Sequence, residues 1–128
     1  MEMRSPMGLA LGLGSAKSGF GHWWGQRLSA AALVVLGLWF AVSVLGLVST
    51  DYWAVAAWAG EPLHAILLVL FLGTLLYHSS LGIQVVIEDY VHGPAVHVAA
   101  LVVNRFVHVA LAVAGAWSVI ALSAGGQA

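Results

Sequence analysis

Hydrophobic residues fill this chain in three long blocks, set apart by two short breaks that hold acids, glycine and proline. From Leu28 to Val48 no charge interrupts, and a run of that length crosses a hydrocarbon core of about 30 Å as one helix. It ends at Ser49-Thr50-Asp51-Tyr52-Trp53, and a connector with the aromatics Tyr52, Trp53 and Trp58 leads to Glu61-Pro62. Proline suits the first turn of a helix, where its missing N–H costs nothing. The second block, Leu63 to Ile87, is uncharged but carries His64 and His78. Glu88 to His97, with Gly93-Pro94, breaks it. The third block, Val96 to Leu122, contains Asn104, Arg105 and His108. The pattern predicts an all-α integral membrane protein with spans at 28–48, 63–87 and 96–122. An interfacial segment, 1–27, precedes them and a Gly-rich tail, 123–128, follows.

Composition strengthens this picture. Of the 128 residues 62% are hydrophobic and 7% charged, where a soluble domain has about a quarter charged. The mean hydropathy is +0.99. A soluble fold of this size buries only about 60–70% of the surface its unfolded chain exposes, so the bilayer is the better solvent. There are no cysteines, which excludes disulfides, iron–sulfur ligation and thiolate chemistry from this chain. Four basic residues against five acids leave no electrostatic footprint for nucleic acid. Arg4, Lys17 and Arg27 all precede the first span, and the following loop has no base. The N-terminus is therefore expected in the cytoplasm, loop 49–61 and the C-terminus outside, and 88–97 inside. Trp23 and Trp24 beside Arg27 read as an interfacial anchor or as a loose surface arm. Arg105 either snorkels to the headgroups or meets a buried anion.

Ionisable residues inside a span are costly and mark candidate chemistry. His78 falls near the middle of the second span, and Gly82 lies one turn further on, about 40° around the same face. Two readings stand. The imidazole ligates a haem iron, with Gly82 leaving room for a flat macrocycle, or it hydrogen-bonds across a helix interface beside a small-residue contact. His64 shares this face but sits roughly 21 Å away along the axis, too far to serve one iron. That spacing fits two stacked haems only if another helix repeats it, and His97 and His108 match poorly. His64 reads better as an interfacial histidine. Asp89 and Tyr90 close the second span, and Asp89 lies within roughly 20° of His78's face, about 16 Å along the axis. A phenol can donate to a quinone carbonyl, and a neighbouring carboxylate can relay protons from water. The plainer alternative is a helix end, although acids there oppose the macrodipole. Phosphate-loop, Gly-x-Ser-x-Gly and His-Glu-x-x-His motifs are absent.

The run Tyr77-His78-Ser79-Ser80-Leu81-Gly82-Ile83-Gln84-Val85-Val86-Ile87-Glu88-Asp89-Tyr90-Val91 resembles the signature of the succinate dehydrogenase hydrophobic membrane anchor subunit. This is the small, D-type anchor of respiratory complex II. The likeness extends to Gly14-Ser15-Ala16-Lys17, to Gly21-His22-Trp23-Trp24, and to Gln26-Arg27-Leu28-Ser29-Ala30. It implies that His78 is one axial ligand of a single haem b, the other coming from a C-type cytochrome b anchor subunit. It implies that Tyr90 binds ubiquinone with support from Asp89, and that Arg27 lies near the haem propionates and the quinone pocket. The three helices would then form part of a haem-binding bundle shared with the partner anchor. FAD and iron–sulfur clusters would reside in a flavoprotein and an iron–sulfur subunit. The expected enzyme is succinate:ubiquinone oxidoreductase of a bacterial plasma membrane or the mitochondrial inner membrane, in which this chain is not catalytic alone. The competing readings are the anchor of another quinone-linked oxidoreductase, such as a fumarate reductase or dihaem cytochrome b, and a non-redox scaffold or transporter subunit.

Overall fold

A computed structural model describes residues 19–125, which form four helices and no strand. We label them α1 (Gly19–Leu47), α2 (Tyr52–Gly60), α3 (Pro62–Tyr90) and α4 (Pro94–Gly125). Arg4, Gly14-Ser15-Ala16-Lys17 and the last residues of the tail lie outside the described residues. Among the helices α1, α3 and α4 are long and apolar enough to cross a membrane. At about 1.5 Å per residue each exceeds a hydrocarbon core of about 30 Å, so their ends reach into the headgroups.

Three boundaries differ from the sequence pattern. Helix α1 begins at Gly19, so His22, Trp23 and Gln26 belong to the first spanning helix and not to a separate arm. The connector carries α2, which Asp51 starts by accepting the Ala54 N–H at 2.8 Å. That single hydrogen bond satisfies an orphan donor of the first turn, and it lets a nine-residue helix form. Helix α3 runs through Glu88 and Asp89 to Tyr90, because acids at a C-terminus are unfavourable but do not break a helix. The break is confined to Val91–Gly93, ahead of Pro94 at the start of α4. The His97 ring holds this turn through Nδ1–H to the Val91 carbonyl at 3.0 Å.

Helix α3 is the centre of the arrangement. It packs on α1 along one side and on α4 along another, while α2 rests on the α4 C-terminus and the start of α3. What is buried confirms the solvent. Among the described residues only Ala59 and Leu81 are buried and apolar, whereas Ser29, Ser80 and Asn104 are buried and polar. Large side chains such as Val34, Leu38, Leu45, Phe106 and Trp117 face outward. Lipid tails are as apolar as leucine, so helices in a bilayer associate through close packing and hydrogen bonds and not through apolar burial.

Candidate functional site

Helices α1 and α3 meet around His78, which is partly buried. Ser29 Oγ donates to the Gly25 carbonyl at 2.7 Å, with the Gln26 carbonyl at 3.1 Å. The same oxygen stands 3.0 Å from His78 Nδ1. In the tautomer that keeps the proton on Nδ1, the Ser29 oxygen accepts it and Nε2 presents its lone pair. The group facing that lone pair is the Gln26 amide nitrogen at 3.3 Å, a weak and long contact. Gly25 allows the close approach. A Cβ there would stand 2.6 Å from the Tyr77 hydroxyl and 3.5 Å from Leu81.

Beside this pair an open cleft of about 520 Å³ runs between the two helices. It is lined by His22, Trp23 and Gln26 of α1 and by Gly82, Gln84 and Glu88 of α3, among others. His22 Nε2 and Gln26 Oε1 are buried without a hydrogen-bond partner. Such orphans are uncommon in folded proteins, and each calls for a partner that the described residues do not supply. Gly82 contributes open space to the cleft, since a Cβ would meet only Gln26, at 3.8 Å. Glu88 is held against α3 by Gln84, whose amide donates at 2.8 Å.

Asp89 and Tyr90 occupy the last turn of α3 and are exposed, Tyr90 at 77%. They lie beyond the cleft's lining residues, so the helix axis separates them from His78 by roughly 16–18 Å. The Arg27 guanidinium lies 5.7 Å above the Trp23 ring, a cation–π contact on the rim of the same helix end. Phe20, Trp23 and Trp24 gather beside it with ring centroids 6.1–6.4 Å apart.

His64 and His108 have structural partners. His64 Nδ1 lies 2.8 Å from a Glu61 carboxylate oxygen and 3.1 Å from the Trp58 carbonyl, and its ring sits 4.7 Å from Trp58 and 6.2 Å from Trp39. His108 has both nitrogens engaged, Nδ1 to the Asn104 carbonyl at 2.8 Å and Nε2 to Ser79 Oγ at 3.2 Å. Arg105 is exposed on α4. Among the described residues no three His, Cys, Asp or Glu side chains gather to hold a metal ion.

Ser29, Gln26, His22 and Gln84 were not singled out from the sequence. Their signal was present as polar pairs four residues apart on single helices, His22–Gln26 and Gln84–Glu88. What was missing was knowledge that α1 lays its pair against His78.

Residues 1–122 match the family model of the succinate dehydrogenase/fumarate reductase transmembrane subunit. The chain belongs to this family. It is 39% identical over 90 residues to the succinate dehydrogenase hydrophobic membrane anchor subunit of Rickettsia bellii, covering 70% of this chain and 72% of that one. Over 93 residues it is 33% identical to the protein of the same name from Paracoccus denitrificans, covering 73% and 72%. No solved structure matches the chain. A multi-pass membrane subunit associated with an oxidoreductase complex is thus the family context of the His78 cleft.

Proposed function

We propose that this chain is the small membrane anchor of a succinate:ubiquinone oxidoreductase. It gives His78 to a b-type haem shared with a C-type cytochrome b anchor, and Tyr90 and Asp89 to the ubiquinone site. The single observation that carries this reading is the seat of the His78 ring, with Ser29 Oγ 3.0 Å from Nδ1. Ser29 orients the ring from its Nδ1 side and Nε2 meets only the long Gln26 contact at 3.3 Å, the kind of outer support that metal-ligating histidines have. The donor set suits a haem for a second reason. One imidazole is all an axial position asks of a chain, and the adjoining cleft offers two orphaned polar atoms and a side-chain-free wall at Gly82. Gln26 faces Nε2 at 3.3 Å and would have to move aside for a bound iron.

A haem bound here supplies a one-electron carrier beside the quinone. The protein's own work is positional. Ser29 holds the imidazole, the Tyr90 hydroxyl donates to a quinone carbonyl, and the Asp89 carboxylate passes protons inward from water at the helix end. Arg27, at the same end, supplies positive charge for propionates or a reduced quinone ring. FAD and iron–sulfur clusters belong to a flavoprotein and an iron–sulfur subunit docked on this face. The basic residues before the first span support a cytoplasmic N-terminus and a periplasmic C-terminus in a bacterial inner membrane, or the equivalent in a mitochondrial inner membrane. The relatives' names favour succinate dehydrogenase over fumarate reductase within the family.

The test is to purify the complex through this chain. Co-purification of a flavoprotein, an iron–sulfur protein and one b-type haem per complex is the expected result. A colourless complex, or two haems, contradicts it.

A further inference from the structure

The opposite side of α3 carries a second polar assembly that ligation does not use. We infer that Asn104 and His108 of α4 are positioning residues, clamping α3 at Ser79 and Ser80 so that His78 is aimed at α1. The inference rests on the reading of His78 as an axial ligand.

The geometry is that of two rungs between α4 and α3. Asn104 is 9% exposed, and its Nδ2 donates to the Ser80 carbonyl at 3.0 Å. One turn along α4, the His108 ring meets the Ser79 hydroxyl with Nε2 at 3.2 Å. Its Nδ1 lies 2.8 Å from the Asn104 carbonyl, which can only accept, so Nδ1 carries the proton and Nε2 accepts from Ser79. Two residues one turn apart on α4 thereby grip the two residues that directly follow His78. Ser79 and Ser80 stand about 100° and 200° around the helix from His78, so this grip faces away from the imidazole. Helix α3 is held between α4 at the serines and α1 at His78, all at one depth.

Apolar contacts alone do not fix such a rotation. Leucine and valine surfaces slide past one another at little cost in lipid, whereas hydrogen bonds are directional. At a helix radius of about 5–6 Å, turning α3 by about 20° carries its rim some 2 Å sideways. A coordinating side chain has to be held to about 0.5 Å. Asn104 is also an expensive choice if packing were its only role. Its Oδ1 is buried without a partner, a burden that leucine in the same place would avoid. Residues that break a local rule in this way concentrate where geometry serves function.

The experiment compares Asn104→Leu, His108→Leu and Ser79→Ala in the intact complex, read by the low-spin electron paramagnetic resonance signal of the haem and by thermal unfolding. Ser79→Ala removes only a hydroxyl, so it reports on the His108 rung even where a leucine variant fails to assemble. The expected result is a shift of the low-spin signal in every variant that assembles. Ser79→Ala and His108→Leu should shift it alike, and their double variant no further. A lowered unfolding temperature with an unmoved signal overturns the inference and makes the rungs simple interhelical glue. His78→Gly separates the two levels. If it abolishes the signal while Ser79→Ala leaves it unmoved, only the clamp fails. If it leaves the signal intact, the ligand reading and the clamp fall together.

Discussion

The two ends of the bundle are built on different principles. At the end that holds Arg27 and Tyr90, helices meet through directed polar contacts: His78 with Ser29 and Gln26, Asn104 with Ser80, and His108 with Ser79. At the end that holds α2 most contacts are of shape, with single hydrogen bonds from Ser123 to the Gly60 carbonyl and from His64 to the Trp58 carbonyl. Phe40 stacks on Phe71 at 4.8 Å, Trp39, Trp58 and His64 cluster with ring centroids 4.7–6.2 Å apart, and Leu72 fills the space left by Gly115. Gly60 lets the α2 backbone touch α4, where its missing Cβ would stand 3.0 Å from the Leu122 carbonyl oxygen. Among the described residues the buried side-chain atoms without partners, on His22, Gln26 and Asn104, all belong to the polar end. The contrast separates a half that holds the molecule together from a half that leaves chemistry unfinished.

That separation can be broken from either side. Ser29→Ala removes the oxygen that stands beside His78 Nδ1 and should weaken haem retention roughly 10- to 100-fold, the usual effect of losing a ligand's outer partner. Titration of haem loss from the detergent-solubilised complex measures it, with unfolding temperature little changed. Gly60→Val should do the reverse. Its branched side chain forces α2 from the α4 backbone, costing about 1–3 kcal/mol of stability while the haem spectrum stays put. A spectral shift in this variant would show that the two ends are coupled. Tyr90→Phe should reduce quinone turnover roughly two- to tenfold, the worth of one hydrogen bond of about 0.5–1.5 kcal/mol. Succinate oxidation by a soluble dye should continue, and equal loss of both activities would indicate failed assembly. The smallest effect belongs to Ser123→Ala, which deletes the 2.6 Å bond to the Gly60 carbonyl. Interhelical bonds in membranes average about 0.6 kcal/mol, so thermal unfolding should move only slightly.

Much of the polar end could be read from the chain. His78 and the Asp89-Tyr90 pair stood out because polar groups are rare in such blocks, and their spacing put His78 and Asp89 on one helical face. The three apolar helices followed from block length. Their neighbours did not. A helix in lipid has apolar residues on every side, so no polar stripe marks the face that meets a partner helix, and Ser29 looked like one more small residue. Asn104 and His108 were visible as a pair within the third span, yet their grip on Ser79 and Ser80 exists only once α3 and α4 are packed. Helix α2 was missed for another reason. Its nine residues are too few for a clear period, and the Asp51 cap that starts it was read only as the end of a span. His22 and Gln26 fell outside the expected first helix because α1 was expected to start near Leu28 and starts at Gly19.

The most direct measurement concerns Nε2 of His78. In the purified complex, His78→Gly should lose the low-spin b-type spectrum, and imidazole added from solution should restore it by entering the space the side chain left. A low-spin spectrum that persists in His78→Gly without imidazole would contradict the assignment of His78 as an axial ligand.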